Sequence, residues 1–296
     1  FGHRGLQAAR DAGARVVLHL HNYRLFCAIA IAFRDGVDCF RCRGRNTLPG
    51  MRLNCRGSLP ESAVYTTALA LHQPRVLDAV DAFVTPSRYA ADRLTSLGLP
   101  SDRLSVVANY VPDDEIANES RAHDSHYALY AGRLAVEKGI AYAIDAARES
   151  GVPLKVAGDG PLANELKTRA EGAPVEFLGP VPRAEVRELL RGAAMALVPS
   201  VSGDVMPFAA LEAMAAGVPV VASDAGSLPE VVGMDKCVPK KDATALAKRM
   251  RALLDDPASR RTEGDAGIAR VRERFGEQRY LRELLALYDG TRKPAG

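Results

Sequence analysis

The sequence is nearly neutral: 39 Lys and Arg against 36 Asp and Glu leave a net charge of +3 over 296 residues. That is too weak a field for a partner held by nucleic-acid phosphates. Long apolar runs are also missing. The stretch FCAIAIAF at 26–33 falls far short of the ~20 residues a helix needs to cross a bilayer. There are no sequence repeats and no low-complexity tracts, which argues against solenoids and disordered polar chains. No signal-peptide pattern opens the chain, and no initiator Met. The opening FGHRGLQAARDAGARVVLHLH begins in an expected helix, Leu6 to Ala12, that runs directly into a strand. It reads as the interior of a domain, and the chain as a fragment.

What is present is ordinary for a globular protein: 47% hydrophobic and 25% charged residues, with length for two domains that each bury a core. Short β-branched runs alternate with longer amphipathic stretches. Strands are expected at Arg15–His21, Ala82–Pro86, Leu104–Asn109, Tyr127–Gly132, Leu154–Gly158, Val175–Gly179, Ala194–Pro199 and Val218–Ser223. Helical patterns fall at 88–98, 139–151, 162–172 and 183–193. This alternation gives parallel sheets covered by helices on both faces. The order weakens in VPDDEIANESRAHDSH, from Val111 to His126, where an interdomain linker is expected. The expected domains are 1–112, 113–275, and a C-terminal helix, 276–290, packing back on the first. The tail from 268 to 290 reads as two amphipathic segments hinged at Gly276.

One stretch carries a chemical question. In GDVMPFAALEAMAAG, residues 203–217, everything from Met206 to Ala216 is apolar except Glu212. Carboxylates are seldom buried without a partner. The segment follows an expected strand end, so its loop emerges at the carboxyl edge of a sheet, where ligands bind in such folds. Pro207 suits the first helical turn, and the amides from Phe208 onward form an anion site. Glu212 then lies close enough to hydrogen-bond a polyhydroxyl group beside that anion. Two other loops reach the same edge: AGRLAVEKG (131–139), with Arg133 and Lys138, and AGDGP (157–161), with glycines for tight turns.

Together, G-R-L-x-x-x-K-G (132–139), G-D-G-P (158–161), V-x-F-L-G (175–179) and D-x7-E with LEAMAAGVPVVAS (204–223) resemble the family 4 retaining glycosyltransferases, glycosyl transferases group 1. LHNYRLFC (20–27) and FVTPSRYAADRL (83–94) resemble that family's acceptor-side domain. The resemblance implies a GT-B fold: two doubly wound Rossmann-like domains facing across a cleft, here with the first incomplete by two or three βα units. It implies that Arg133 and Lys138 grip the donor diphosphate, with Gly132 and Gly158 beside them, and neutralise the leaving group without a bound metal. By the same resemblance Glu212 binds the donor ribose. Asp204 stands where many relatives have Glu and would touch sugar hydroxyls beside the reacting carbon. Leu178 and Val181 would lie against the base, Met206, Phe208 and Ala209 would contact the donor, and His21 would face it across the cleft. Met206-Pro207 replaces the Phe-Gly of many relatives, and Pro207 has no amide to donate.

The expected activity is transfer of a sugar from a nucleotide-diphosphate donor to a hydroxyl acceptor in glycan, polysaccharide or glycolipid synthesis. No cofactor is required beyond that co-substrate. Two other readings share the fold: a non-catalytic sugar-nucleotide-binding protein, and a nucleotide-sugar epimerase. The expected location is cytoplasmic. Arg34, Arg41, Arg43, Arg45, Arg52 and Arg56, against only Asp35 and Asp38, read either as solvated surface or as a flap for an anionic or lipid-linked acceptor at the inner face of a membrane. In the same segment Cys27, Cys39, Cys42 and Cys55 flank and include one C-x-x-C. They fit a structural zinc site, separate buried small hydrophobes, or disulfides, which a cytosolic location disfavours. Cys237 is isolated and reads as structural.

Overall fold

A computed structural model describes residues 3–290. Chain contacts divide it into two units: one holds the residues up to Ala108, Asp204–Met206 and the residues from Tyr280, and the other holds Asn109–Gly203 and Pro207–Arg279.

In the first unit, helix α1 (His3–Asp11) leads into strand β1 (Val17–His19). A short hairpin, β2 (Phe33–Arg34) and β3 (Val37–Asp38), precedes α2 (Leu48–Arg52) and the long α3 (Leu59–Ala79). β4 (Ala82–Thr85), α4 (Arg88–Ser96) and β5 (Leu104–Val106) follow. The parallel sheet runs in the order β1-β4-β5. Phe26, Phe83, Leu94, Leu97 and Leu104 pack into its main core. Residues 88–96 form a helix for local reasons: Ser87 caps it, its side chain accepting from the Ala90 amide at 3.1 Å.

α3 defied its sequence pattern. It turns Ser62, Thr66 and Gln73 inward while Leu59, Val64 and Leu71 are exposed. The buried polar groups are satisfied: Thr66 Oγ1 donates to the Ser62 carbonyl at 2.7 Å, Thr47 Oγ1 to the Thr66 carbonyl at 2.7 Å, and Gln73 Nε2 to the Leu25 carbonyl at 2.9 Å. Pro74 within the helix further masks the signal.

The second unit is built from β6 (Ala128–Ala131), α5 (Ile140–Ser150), β7 (Leu154–Ala157), α6 (Ala163–Arg169), β8 (Val175–Gly179), α7 (Arg183–Arg191), β9 (Met195–Val198), α8 (Phe208–Ala215), β10 (Val220–Ser223), α9 (Leu228–Val232) and β11 (Cys237–Val238). α10 (Ala243–Asp255), α11 (Pro257–Arg274) and α12 (Glu277–Tyr288) complete the chain. The six strands are all parallel, in the order β11-β10-β9-β6-β7-β8. Numbered from β6, this is the Rossmann order 3-2-1-4-5-6 read from the other edge, with the order reversing between β6 and β9.

On α5, Ile140, Ala143, Ile144 and Ala147 recur at helical spacing and are buried with Leu154 and Val156 of the sheet and Leu246, Met250 and Leu253 of α10. The polar stretch 111–126 holds only the 3-10 turns Asp113–Glu115 and Ala122–Asp124, yet it is tied down. Arg260, 2% exposed, donates to the carbonyls of Ala122 and His123 at 2.8 and 2.9 Å. The tail is helical across 257–274 and 277–288 and breaks at Phe275 and Gly276.

Gly139 ends the loop after β6 with φ +67, and a Cβ there would stand 1.9 Å from the Pro199 carbonyl oxygen. Gly139→Ala is therefore expected to destabilise the chain by about 1–3 kcal/mol from backbone strain alone. Urea unfolding of the full chain checks this, and an unchanged midpoint contradicts it.

Candidate functional site

The reversal of strand order between β6 and β9 splays apart the loops that follow them, leaving a crevice at the carboxyl edge. The loop after β6 carries Gly132, Arg133 and Lys138, and the one after β9 leads into α8. Backbone bonds lock these loops together. The Val201 amide donates to the Glu137 carbonyl at 3.0 Å, the Leu134 amide to the Asp159 carbonyl at 2.9 Å, and the Gly158 amide to the Gly179 carbonyl at 2.7 Å. Gly158 makes the approach possible, since a Cβ there would lie 1.9 Å from the Gly132 carbonyl oxygen.

At this edge lies an open cavity of ≈ 400 Å³. Gly132, Arg133, Gly158, Val181 and Glu212 all line it, joined by Asp159, Pro180 and Arg183. The first α8 amides follow Pro207, which stands as the residue before the first helical turn rather than within it. Lys138, Leu178, Phe208 and Ala209 lie on the same loops and elements but outside the cavity lining.

Glu212 finds an arginine. Arg183, the first residue of α7, lies 3.2 Å from its Oε1 and 3.5 Å from Glu115 Oε2, and Arg187 holds Glu115 at 2.6 Å. Partial burial pushes the Glu212 carboxyl above the ordinary carboxylate range; Arg183 pulls it back and Glu115 pushes it up again. Because the Arg183 side chain is 62% exposed, the pair adds little stability and leaves the carboxylate available to a ligand.

Arg133 is paired with the nearly buried Glu137, an i,i+4 ion pair. One side of the guanidinium is thereby fixed, while its remaining N–H groups are on an exposed side chain that lines the cavity. Sequence reasoning passed over Glu137 and Arg183. The i,i+4 spacing from Arg133 could have revealed the first; Arg183 meets Glu212 only through the tertiary fold.

Asp204 and Met206 group with the first unit. There the carbonyl of the intervening Val205 accepts from Ser87 Oγ at 2.5 Å. Burial raises the pKa of the Tyr89 phenol, and the Asp204 charge adds to that rise. His21 lies just past β1 and stacks on His19 with ring centroids 6.1 Å apart. Desolvation lowers its pKa, which favours the neutral imidazole.

Cys27, Cys39, Cys42 and Cys55 line a single small cavity in the first unit. Among the described residues, no three His, Cys, Asp or Glu side chains stand as a formed ligand set for a metal. Also among the described residues, no helix is long and apolar enough to cross a membrane.

The fold is the GT-B fold of the solved structures it resembles. The family model for glycosyl transferases group 1 matches residues 112–270, more than half of the chain, and the chain belongs to that family. It is 32% identical over 237 residues to the glycogen synthase of Mycobacterium tuberculosis, covering 72% of this chain and 56% of that protein. It is also 32% identical over 224 residues to WcaL of Escherichia coli K12, assigned as a colanic acid biosynthesis glycosyltransferase; the match covers 67% of this chain and 53% of WcaL. The chain thus spans about half the length of the curated relatives it matches. Anabaena Alr3699/HepE, solved in complex with UDP, superposes with a TM-score of 0.72 over 97% of this chain and 76% of that one, at 17% identity.

Proposed function

We propose that the protein transfers a sugar from a nucleoside-diphosphate donor to a hydroxyl acceptor, with retention at the anomeric carbon, in polysaccharide or glycolipid synthesis. The observation that carries this reading is the crevice cavity, where an arginine, two close-approach glycines and a half-buried carboxylate converge. A polyanion flanked by a diol is the ligand such a set fits. The Arg133 and Lys138 cations face the diphosphate, and Glu212 accepts from the ribose hydroxyls. Val181 and Pro180 offer the base an apolar edge.

As the glycosidic bond breaks, negative charge grows on the leaving phosphate, and fixed cations stabilise that charge more than they stabilise the ground state. They fill the role a divalent metal would otherwise take, so added divalent cations should not raise turnover. In a retaining transfer the acceptor attacks from the face the phosphate leaves. The departing phosphate oxygen then takes the acceptor proton, and no strongly basic side chain is needed. Asp204 and His21 are assigned to the sugar side of the donor. The acceptor is a sugar or a lipid-linked sugar, and the arginines between Arg34 and Arg56 offer a peripheral contact with a membrane.

A thermal-stability screen of UDP-, GDP- and ADP-sugars tests the reading. One class should stabilise the chain by about 2.7 kcal/mol at a hundredfold excess over its Kd. Stabilisation by none of them contradicts it.

A further inference from the structure

Between His19 and Leu59 the chain has only two two-residue strands and the five-residue α2 as regular structure. So few backbone ladders give such a segment little to fix its path, and comparable segments elsewhere depend on a staple. Four of the five non-glycine residues with positive φ among the described residues are here: Ala30 (67°), Ala32 (47°), Asp35 (51°) and Asn54 (49°). Each holds a conformation that L-residues rarely adopt, and such outliers persist only where surroundings over-determine them. All four clustered cysteines of the chain, Cys27, Cys39, Cys42 and Cys55, border the same cavity, of ≈ 20 Å³, inside this segment. That is room for about one water-sized sphere, and therefore for one metal ion.

The Cys42 thiol donates to the Thr47 carbonyl at 3.9 Å, and one donor, the Arg34 guanidinium, reaches a sulfur of the cluster. Arg34 Nη1 lies 3.6 Å from Cys55 Sγ. Gly50 lets the chain pass close to Thr66 next to the cavity: a Cβ there would stand 2.8 Å from Thr66 Cγ2. A neutral thiol is a weak acceptor, whereas a thiolate is a strong one. A guanidinium donor on a sulfur of the pocket is an outer-shell contact of the kind metal thiolates receive.

Four thiolates in one pocket repel, and a divalent ion removes the repulsion while its four bonds replace lost solvation.

We propose that Cys27, Cys39, Cys42 and Cys55 bind one structural zinc ion that staples residues 27–55 of the first unit. The sulfurs would close on the ion by rotation about their Cα–Cβ bonds within the cavity they already line, releasing the thiol protons as it binds. Zinc suits four thiolates in a tetrahedron, with no position left open for chemistry.

The test is elemental analysis of the full chain purified without added metal, paired with thiol titration and intact mass. About one zinc per chain is expected, with the four thiols protected until a mercurial releases the ion. Cys39→Ser and Cys42→Ser should each lower the zinc content at least tenfold, whereas Cys237→Ser should retain it. Should the serine variants fail to fold, zinc released from the unsubstituted chain by the mercurial and scored by a chromogenic chelator decides the question alone. Four freely titrating thiols with no metal overturn the proposal. So does a mass deficit of two hydrogens for each disulfide, and so does iron in place of zinc.

Discussion

Lys138→Ala is expected to lower kcat by about 10²–10³, the effect of losing one preorganised donor to a charge that develops in the transition state. The reason lies in when the charge appears. A phosphate that is leaving carries more negative charge than one still esterified, so a fixed cation gains interaction as the bond breaks. Lys138 sits in the 3-10 turn Val136–Lys138, directly before Gly139, whose positive φ and contact with the Pro199 carbonyl fix the turn on the end of β9. The backbone that carries Lys138 is thus fixed before the reaction begins. Donor consumption by the full chain, measured across donor concentrations, separates the two outcomes. A fall in kcat with KM nearly constant supports the leaving-group role; a raised KM with kcat intact refutes it and leaves Lys138 a binding contact.

Glu212→Ala should weaken nucleoside-diphosphate binding by about 1.5–3 kcal/mol, or roughly 10- to 150-fold, the range for hydrogen bonds to a charged acceptor. The substitution also strands Arg183 beside Glu115, but those groups are exposed or already paired with Arg187, so stability should change little. Affinity should depend on pH as well. Burial holds the Glu212 carboxyl above its ordinary pKa, so the carboxylate is lost as pH falls through a value above 4.5. Binding should then weaken over that interval in the unsubstituted chain and stay flat in Glu212→Gln. Calorimetry across pH reads both effects. Equal affinity of the alanine variant at neutral pH would remove Glu212 from the site.

Much of the second unit was legible because its elements are locally encoded. β6, β7, β9 and β10 are short β-branched or alanine-rich runs, almost entirely buried, and the helices between them carry apolar residues at helical spacing. The crevice was legible for a related reason: glycines such as Gly139 and Gly158 mark places where only a backbone without Cβ fits. Elsewhere the local signal failed. α3 buries its hydroxyl and amide residues and exposes leucines, so its periodicity points the wrong way. Strands of two residues, β2, β3 and β11, are too short for any pattern to register. The partner of Glu212 could not be read at all, because Arg183 is 29 positions away and reaches it only through the tertiary fold. Asp204 shows the same limit, since its neighbours Tyr23 and Tyr89 come from distant segments of the first unit.

The nucleoside diphosphate is expected to sit at the reversal of strand order in the second unit. Amide hydrogen exchange of the full chain, with and without the nucleoside diphosphate that stabilises it most, tests this directly. Added protection should concentrate in residues 131–139, 157–160 and 180–183 and in the first turn of α8, with the hairpin β2–β3 unchanged. Protection concentrated in the first unit, or absent from the loops after β6 and β7 at saturating nucleotide, would contradict the account.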